Sequence, residues 1–219
     1  MHTNRKPLSH KIENIISKPE FSVKLLQYND KDLHQITASI FTREENNLFT
    51  GFKSVKRKLE YYYTRLLWQE FYKNESISYN NIGRPILKSA FISISHSRDI
   101  IVIGLNNNNN IGIDVEYFSP KINAIKHKFI SPADELLIDI KNEIHLTIVW
   151  SIKEAVYKME NIPGLCFKDN IHVKIADNVG YVDVVKNDEI HSYIFNFIIR
   201  ENYVITFCSF GDIHNKSSF

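Results

Sequence analysis

Only two cysteines, Cys166 and Cys208, occur in the 219 residues, and neither has a partner at C-x-x-C spacing. That excludes a disulfide framework and a thiolate metal site as organising features. No window reaches the ~20 apolar residues of a membrane helix, and Ile100 to Leu105 suffices only for a short buried strand. The opening stretch, MHTNRKPLSHKIENII, lacks the apolar core of a signal peptide, so a reduced cytoplasmic setting is expected. Charge of one sign is also scarce. Lys and Arg number 27 against 25 Asp and Glu, a formal net charge of +2 that does not mark a nucleic-acid binder. The Ser95-His96 pair lacks the nucleophile elbow that a serine hydrolase requires. Neither a membrane nor a nucleic acid is an expected partner.

What is present suits a soluble globular chain: 43% hydrophobic and 24% charged residues, enough for one large domain or two small ones. Residues 1–20 are polar with Pro7 and Pro19 and are expected to form an irregular arm. Phe21 to Tyr28 alternates as a strand. A helix is expected around Leu33 to Ile40, and another from Thr42, whose spacing to Glu45 is that of a capping box. A strong helix follows from Ser54 to about Tyr72, with Leu59, Tyr62, Tyr63 and Leu66 as its apolar stripe.

Gly83 and Pro85 break the periodicity, so residues 80–85 read as a turn. FISIS (91–95) and Ile100 to Leu105 are hairpin partners, and the Asn106–Asn110 run is a loop between strands. Ile122 to Phe129 reads as helical, and Ser131-Pro132 restarts a helix with Pro in its first turn. The helix WSIKEAVYKME (150–160) stops at Ile162-Pro163-Gly164. IHVKIA, YVDVVK, YIFNFII and YVITFCSF then form a meander of alternating strands.

The chemistry concentrates in two places. As a strand, IGIDVE (111–116) sets Asp114 and Glu116 on one face and Ile113 and Val115 on the other. Adjacent carboxylates on an apolar strand repel unless a cation such as Mg²⁺ sits between them, though a solvated edge strand would also tolerate them. On the helix 150–160, Ile152, Ala155, Val156 and Met159 make an apolar stripe. A second stripe carries Trp150, Lys153, Glu154, Tyr157 and Lys158. Glu154 to Lys158 is also ordinary ion-pair spacing on a surface helix. Lys53, Lys56, Arg57 and Lys58 crowd a helix N-terminus, where the dipole disfavours cations; they invite an anion or form a solvated basic face. Ser95-His96 at a strand end can donate to a phosphate or be a buried, satisfied histidine.

Gly83-Arg84-Pro85, FISISHS (91–97), IGIDVE (111–116), FISPADE (129–135) and WSIKEAVYK (150–158) recur in an order that resembles the motif series of the 4′-phosphopantetheinyl transferase superfamily. The likeness covers about residues 50 to 160 and is similar to the larger, surfactin-synthetase-activating type. Its most specific parts are SHS, GIDVE and WSIKEAVYK.

The resemblance implies a duplicated, pseudo-two-fold α+β fold, halves at 1–108 and 109–219, with coenzyme A in the cleft between them. It implies Mg²⁺-dependent transfer of the 4′-phosphopantetheine arm from coenzyme A to a serine of an acyl or peptidyl carrier protein. Adenosine 3′,5′-bisphosphate leaves. By position, Asp114 and Glu116 become Mg²⁺ ligands, with Asp134 and Glu135 competing to be a third acid. Glu154 becomes the base, and Lys153 and Lys158 pyrophosphate contacts. Ser95 and His96 match coenzyme A-phosphate contacts, and Arg84 replaces the usual Lys of a G-K-P turn, keeping the charge. Arg57 is the first choice for the ribose 3′-phosphate, with Lys58 and Arg65 behind it. A monomer is the simpler expectation. The alternative is a non-catalytic relative that binds coenzyme A or a carrier protein.

Overall fold

The computed structural model describes residues 10–29, 36–71, 75–176, 179–187 and 189–209. Its strands fall into two large antiparallel sheets. The first has the order β1-β2-β6-β5, built from β1 (His10–Ser17), β2 (Phe21–Tyr28), β5 (Phe91–Ser97) and β6 (Ile100–Asn106). A short hairpin, β3 (Ser78–Tyr79) with β4 (Pro85–Ile86), precedes β5. The second sheet has the order β7-β11-β10-β9-β8. It comprises β7 (Ile111–Tyr117), β8 (Ile171–Ala176), β9 (Val179–Lys186), β10 (Glu189–Ile199) and β11 (Tyr203–Ser209). The fold is mixed α+β.

Alternation along the strands builds the layers. Leu26, Tyr28, Ile101 and Ile103 pack on one side of the first sheet against Leu59, Tyr62, Tyr63 and Leu67 of α2 (Val55–Trp68). From the opposite side, Val23, Leu25, Ile100 and Val102 meet Ile113 and Val115 of β7 and Ile205 and Phe207 of β11. The far face of the second sheet is covered by α5 (Glu143–Glu160), through Ile152, Ala155, Val156 and Met159. The order is therefore helix, sheet, sheet, helix, each interface joining two apolar faces.

Several local expectations need correction. Residues 10–17 are a strand, not an irregular arm; residues 1–9 lie outside the described residues. β1 is irregular because its register on β2 slips between Asn14 and Ile16, which breaks the alternation a strand would otherwise display. Of the helix expected over 33–40, residues 33–35 lie outside the described residues and Ala38–Ile40 is one 3₁₀ turn. Its successor α1 (Arg43–Gly51) carries the expected Thr42–Glu45 capping box. α2 ends at Trp68, with Tyr72 outside the described residues. The stretch 122–129 is one α-turn, α3 (Ile122–Ile125), followed by a 3₁₀ turn. After α4 (Pro132–Glu135), α5 begins at Glu143, two turns before Trp150, capped by Asn142. It ends at Asn161 in the left-handed conformation, and α6 (Phe167–Asn170) leads into the meander.

Candidate active site

The site forms where β7 lies between β5 and α5. Gly112 permits this: a Cβ built there would sit 2.1 Å from the Ala155 carbonyl oxygen, so only glycine lets strand and helix approach so closely. The alternation of β7 then follows as expected. Ile113 and Val115 enter the inter-sheet core, while Asp114 and Glu116 meet α5.

Asp114 is buried at 3% exposure. Its Oδ1 accepts from Lys158 Nζ at 2.7 Å and from Ser95 Oγ at 2.7 Å. Its Oδ2 is buried with no hydrogen-bond partner among the described residues. Glu116 is held from both flanks: Oε1 accepts from the Trp150 indole at 3.1 Å, and Oε2 from Ser97 Oγ at 3.2 Å. Burial, then the neighbouring Asp114 carboxylate, pushes the Glu116 pKa up to about 7. Glu154, one turn of α5 before Lys158, is also raised, by burial first and Asp114 second, while Lys158 pulls it down.

β5 closes the site through hydroxyls. Ser93 Oγ accepts from Ile113 N–H at 3.1 Å and Ser95 Oγ from Val115 N–H at 3.3 Å. Lys158 Nζ also donates to Ser95 Oγ (3.1 Å) and to the Ile113 carbonyl (3.2 Å). Ser95 thus ties the edges of the two sheets to the acid–lysine pair.

Next to Ser95 a second cluster centres on Glu60 of α2, a buried acid that the sequence reading passed over. Its carboxylate lies 3.3 Å from His96 Nδ1 and 3.7 Å from both Lys56 Nζ and Arg57 Nη1. Its only sequence signal is the i,i+3 and i,i+4 spacing to Arg57 and Lys56. Desolvation holds the His96 pKa down against Glu60, which would raise it. Arg57, Thr64, Tyr79, Gly83 and His96 line a hollow of about 140 Å³. Arg57 stands at this hollow half-exposed, and Lys58 reaches over the Phe49 ring.

Arg65 is placed differently. It is 3% exposed, and it donates from Nε to Glu45 at 2.6 Å and from Nη1 and Nη2 to the phenols of Tyr79 and Tyr61 at 3.1 and 3.3 Å. This network ties α1 to α2, and Arg65 also lines the hollow beside Arg57 and His96. Arg84 is half-buried and lowered in pKa by burial. It lines a cleft of about 510 Å³ between the 82–85 turn, β5 and the end of α5, with Pro85, Ile92, Tyr157, Lys158 and Pro163.

Burial sets two further candidates apart from β7. Lys153 is fully enclosed, its Nζ within 2.5 Å of the Phe129 carbonyl, 2.7 Å of Asp134 Oδ2 and 3.0 Å of the Phe167 carbonyl. It does not join Lys158 beside β7. Asp134 is equally enclosed, accepting from Ser131 N–H and Val173 N–H besides Lys153. Glu135 is exposed beside it. Neither acid stands with Asp114 and Glu116; the third carboxylate that senses them is Glu154.

Comparison with known proteins bears on this region directly. The family model of the 4′-phosphopantetheinyl transferase superfamily matches residues 110–208. The matched stretch is just under half of the chain and runs from β7 to β11. It contains the acids Asp114, Glu116 and Glu154 and the cation Lys158. No curated protein matches the chain. No described helix is long and apolar enough to cross a membrane.

Proposed function

We propose that the protein transfers the 4′-phosphopantetheine arm of coenzyme A to a serine of an acyl or peptidyl carrier protein. The observation that carries this reading is the cluster of Asp114, Glu116, Glu154 and Lys158 at the β7–α5 crossing, within the segment the transferase family model matches. The larger, duplicated type with halves at 1–108 and 109–219 is proposed with it. It draws support from two sheets, each built from one side of the Asn106–Asn110 loop.

The residues fit a divalent cation. Asp114 Oδ2 is a buried carboxylate oxygen without a hydrogen-bond partner among the described residues, and Glu116 beside it has its pKa raised by burial first and by the Asp114 charge second. Among the described residues no three acids, histidines or cysteines converge on one point. That suits Mg²⁺, which takes one or two carboxylates and fills its shell with phosphate oxygens and water. Asp114 and Glu116 would hold it. When bound, it supplies charge neutralisation to the diphosphate.

The side chains divide the remaining work. Glu154 takes the proton from the carrier serine, whose Oγ bonds to the phosphorus bearing the pantetheine arm. The bond from that phosphorus to the oxygen of adenosine 3′,5′-bisphosphate breaks. Burial and the Asp114 charge, which raise the Glu154 pKa, make its carboxylate a stronger base than an exposed glutamate. Lys158 lies toward the charge that develops on the leaving group, held by Asp114 and Ser95. Arg57 and His96 provide cationic and imidazole donors for the ribose 3′-phosphate, and Arg84 offers its guanidinium to the nucleotide.

The test is intact-mass spectrometry of an apo carrier protein after incubation with this protein, coenzyme A and Mg²⁺. A mass gain of one phosphopantetheine arm, lost with chelator, is the expected result. No gain with any of several carrier types, while coenzyme A still binds, overturns transfer in favour of a binding-only role.

A further inference from the structure

Lys153 is a buried cation next to Glu154 in sequence, yet it touches none of the acids at the β7–α5 crossing. Its three acceptors are two backbone carbonyls and Asp134. Those carbonyls belong to Phe129 and Phe167, and the rings of the same two residues flank Trp150. Phe129 packs edge-on at 5.2 Å between centroids and Phe167 is tilted at 5.4 Å. The Trp150 indole N–H is in turn one of the two donors that hold Glu116. One ammonium thus gathers the two chain segments whose rings hold the indole that aims the acid.

Asp134 makes the arrangement rigid. Besides Lys153, its carboxylate takes the Ser131 N–H of the α4 cap at 2.9 Å and the Val173 N–H of β8 at 3.0 Å. Every buried polar atom in this clamp is therefore paired, the condition under which a buried ion pair specifies one arrangement instead of several. The Phe129 and Phe167 rings brace the indole, and moving either backbone costs Lys153 one of its three acceptors.

We propose that Lys153 is a positioning residue that acts through Phe129, Phe167 and Trp150 on the orientation of Glu116. It does so instead of contacting the diphosphate. This builds on the transferase reading for its consequence, but the placement of the indole stands apart from that reading.

The chain has two tryptophans, so a ¹H–¹⁵N spectrum shows two indole signals, and Trp150→Phe identifies which belongs to Trp150. Lys153→Met is expected to shift or broaden the Trp150 indole while leaving that of Trp68 in place. An unmoved Trp150 signal overturns the proposal, whether or not the protein transfers phosphopantetheine. Should Lys153→Met not fold, Lys153→Met/Asp134→Asn removes the stranded carboxylate and is read in the same way.

Kinetics supply the second arm, since small misplacement at a reacting centre costs up to about 10²-fold in rate. kcat should fall by about tenfold or more while coenzyme A affinity stays within about threefold, and adding Trp150→Phe should not multiply the loss. A large loss of coenzyme A affinity makes Lys153 a ligand contact and overturns the proposal. Fully multiplicative losses do so as well, because the two residues then act separately. If the wild-type protein transfers nothing, the transferase reading fails and the indole spectrum alone decides the role of Lys153.

Discussion

Lys158 Nζ lies 2.7 Å from Asp114 Oδ1, a cation from the last turns of a helix set against an acid from the middle of a strand. The pair is fed by Ser95 and leaves Asp114 Oδ2 open. Asp114→Ala should therefore abolish Mg²⁺-dependent transfer, a loss of about 10² or more, the scale of removing a key charge-stabilising group. Carrier-protein mass spectrometry measures it, with circular dichroism as the check on folding. Unchanged transfer would remove Asp114 from the site.

Glu154→Gln keeps the size of the side chain and removes its basicity. The turnover rate should fall by about 10²–10⁴, the usual contribution of a general base, with coenzyme A affinity nearly intact by calorimetry. Lost binding would show that the carboxylate holds the ligand and does not take the proton.

Arg57 and Arg65 share a helix but should respond oppositely. Arg57→Ala should weaken coenzyme A more than 3′-dephospho-coenzyme A, with little change in melting temperature. Arg65→Ala strands Glu45 in a buried setting and should cost stability on the order of 3–5 kcal/mol. Equal loss of both ligands on changing Arg57 would move the 3′-phosphate contact elsewhere.

Glu116, at a pKa of about 7 in the folded protein against 4.5 ordinarily, binds its proton more tightly folded than unfolded. Its contribution favours folding when protonated and is lost as pH rises from about 4.5 to 7. A divalent cation removes that penalty by favouring the charged form. Melting temperature should therefore rise with Mg²⁺ more at pH 8 than at pH 5. An equal rise at both values would place the metal away from Glu116.

Gly112→Ala forces a methyl group into the Ala155 carbonyl. Overpacking of this kind costs about 1–3 kcal/mol, seen as a lowered melting temperature, and it should lower transfer by spreading β7 from α5. An unchanged melting temperature would mean that the helix shifts freely.

Most strands were legible because their alternation is regular: β2, β5, β7 and the meander all show period two. β1 was not, since the slip at Asn14–Ile16 scrambles its pattern. The first turns of α5 (143–149) were missed because a short apolar run, LTIV, shows no distinct period. Glu60 was passed over because an acid three and four residues from cations reads as a surface salt bridge.

The sequence by itself determined that Asp114 and Glu116 share a face of β7, since a strand permits no other placement. It also determined that a glycine and a helix rich in Lys and Glu accompany them. Tertiary structure decided between Lys153 and Lys158. Positions five apart on a helix diverge by about 140°, so when Lys158 meets Asp114 the Lys153 ammonium must leave that face. The register that fixes this choice comes from Gly112 lying against Ala155. That contact joins residues distant in sequence, and no local pattern encodes it.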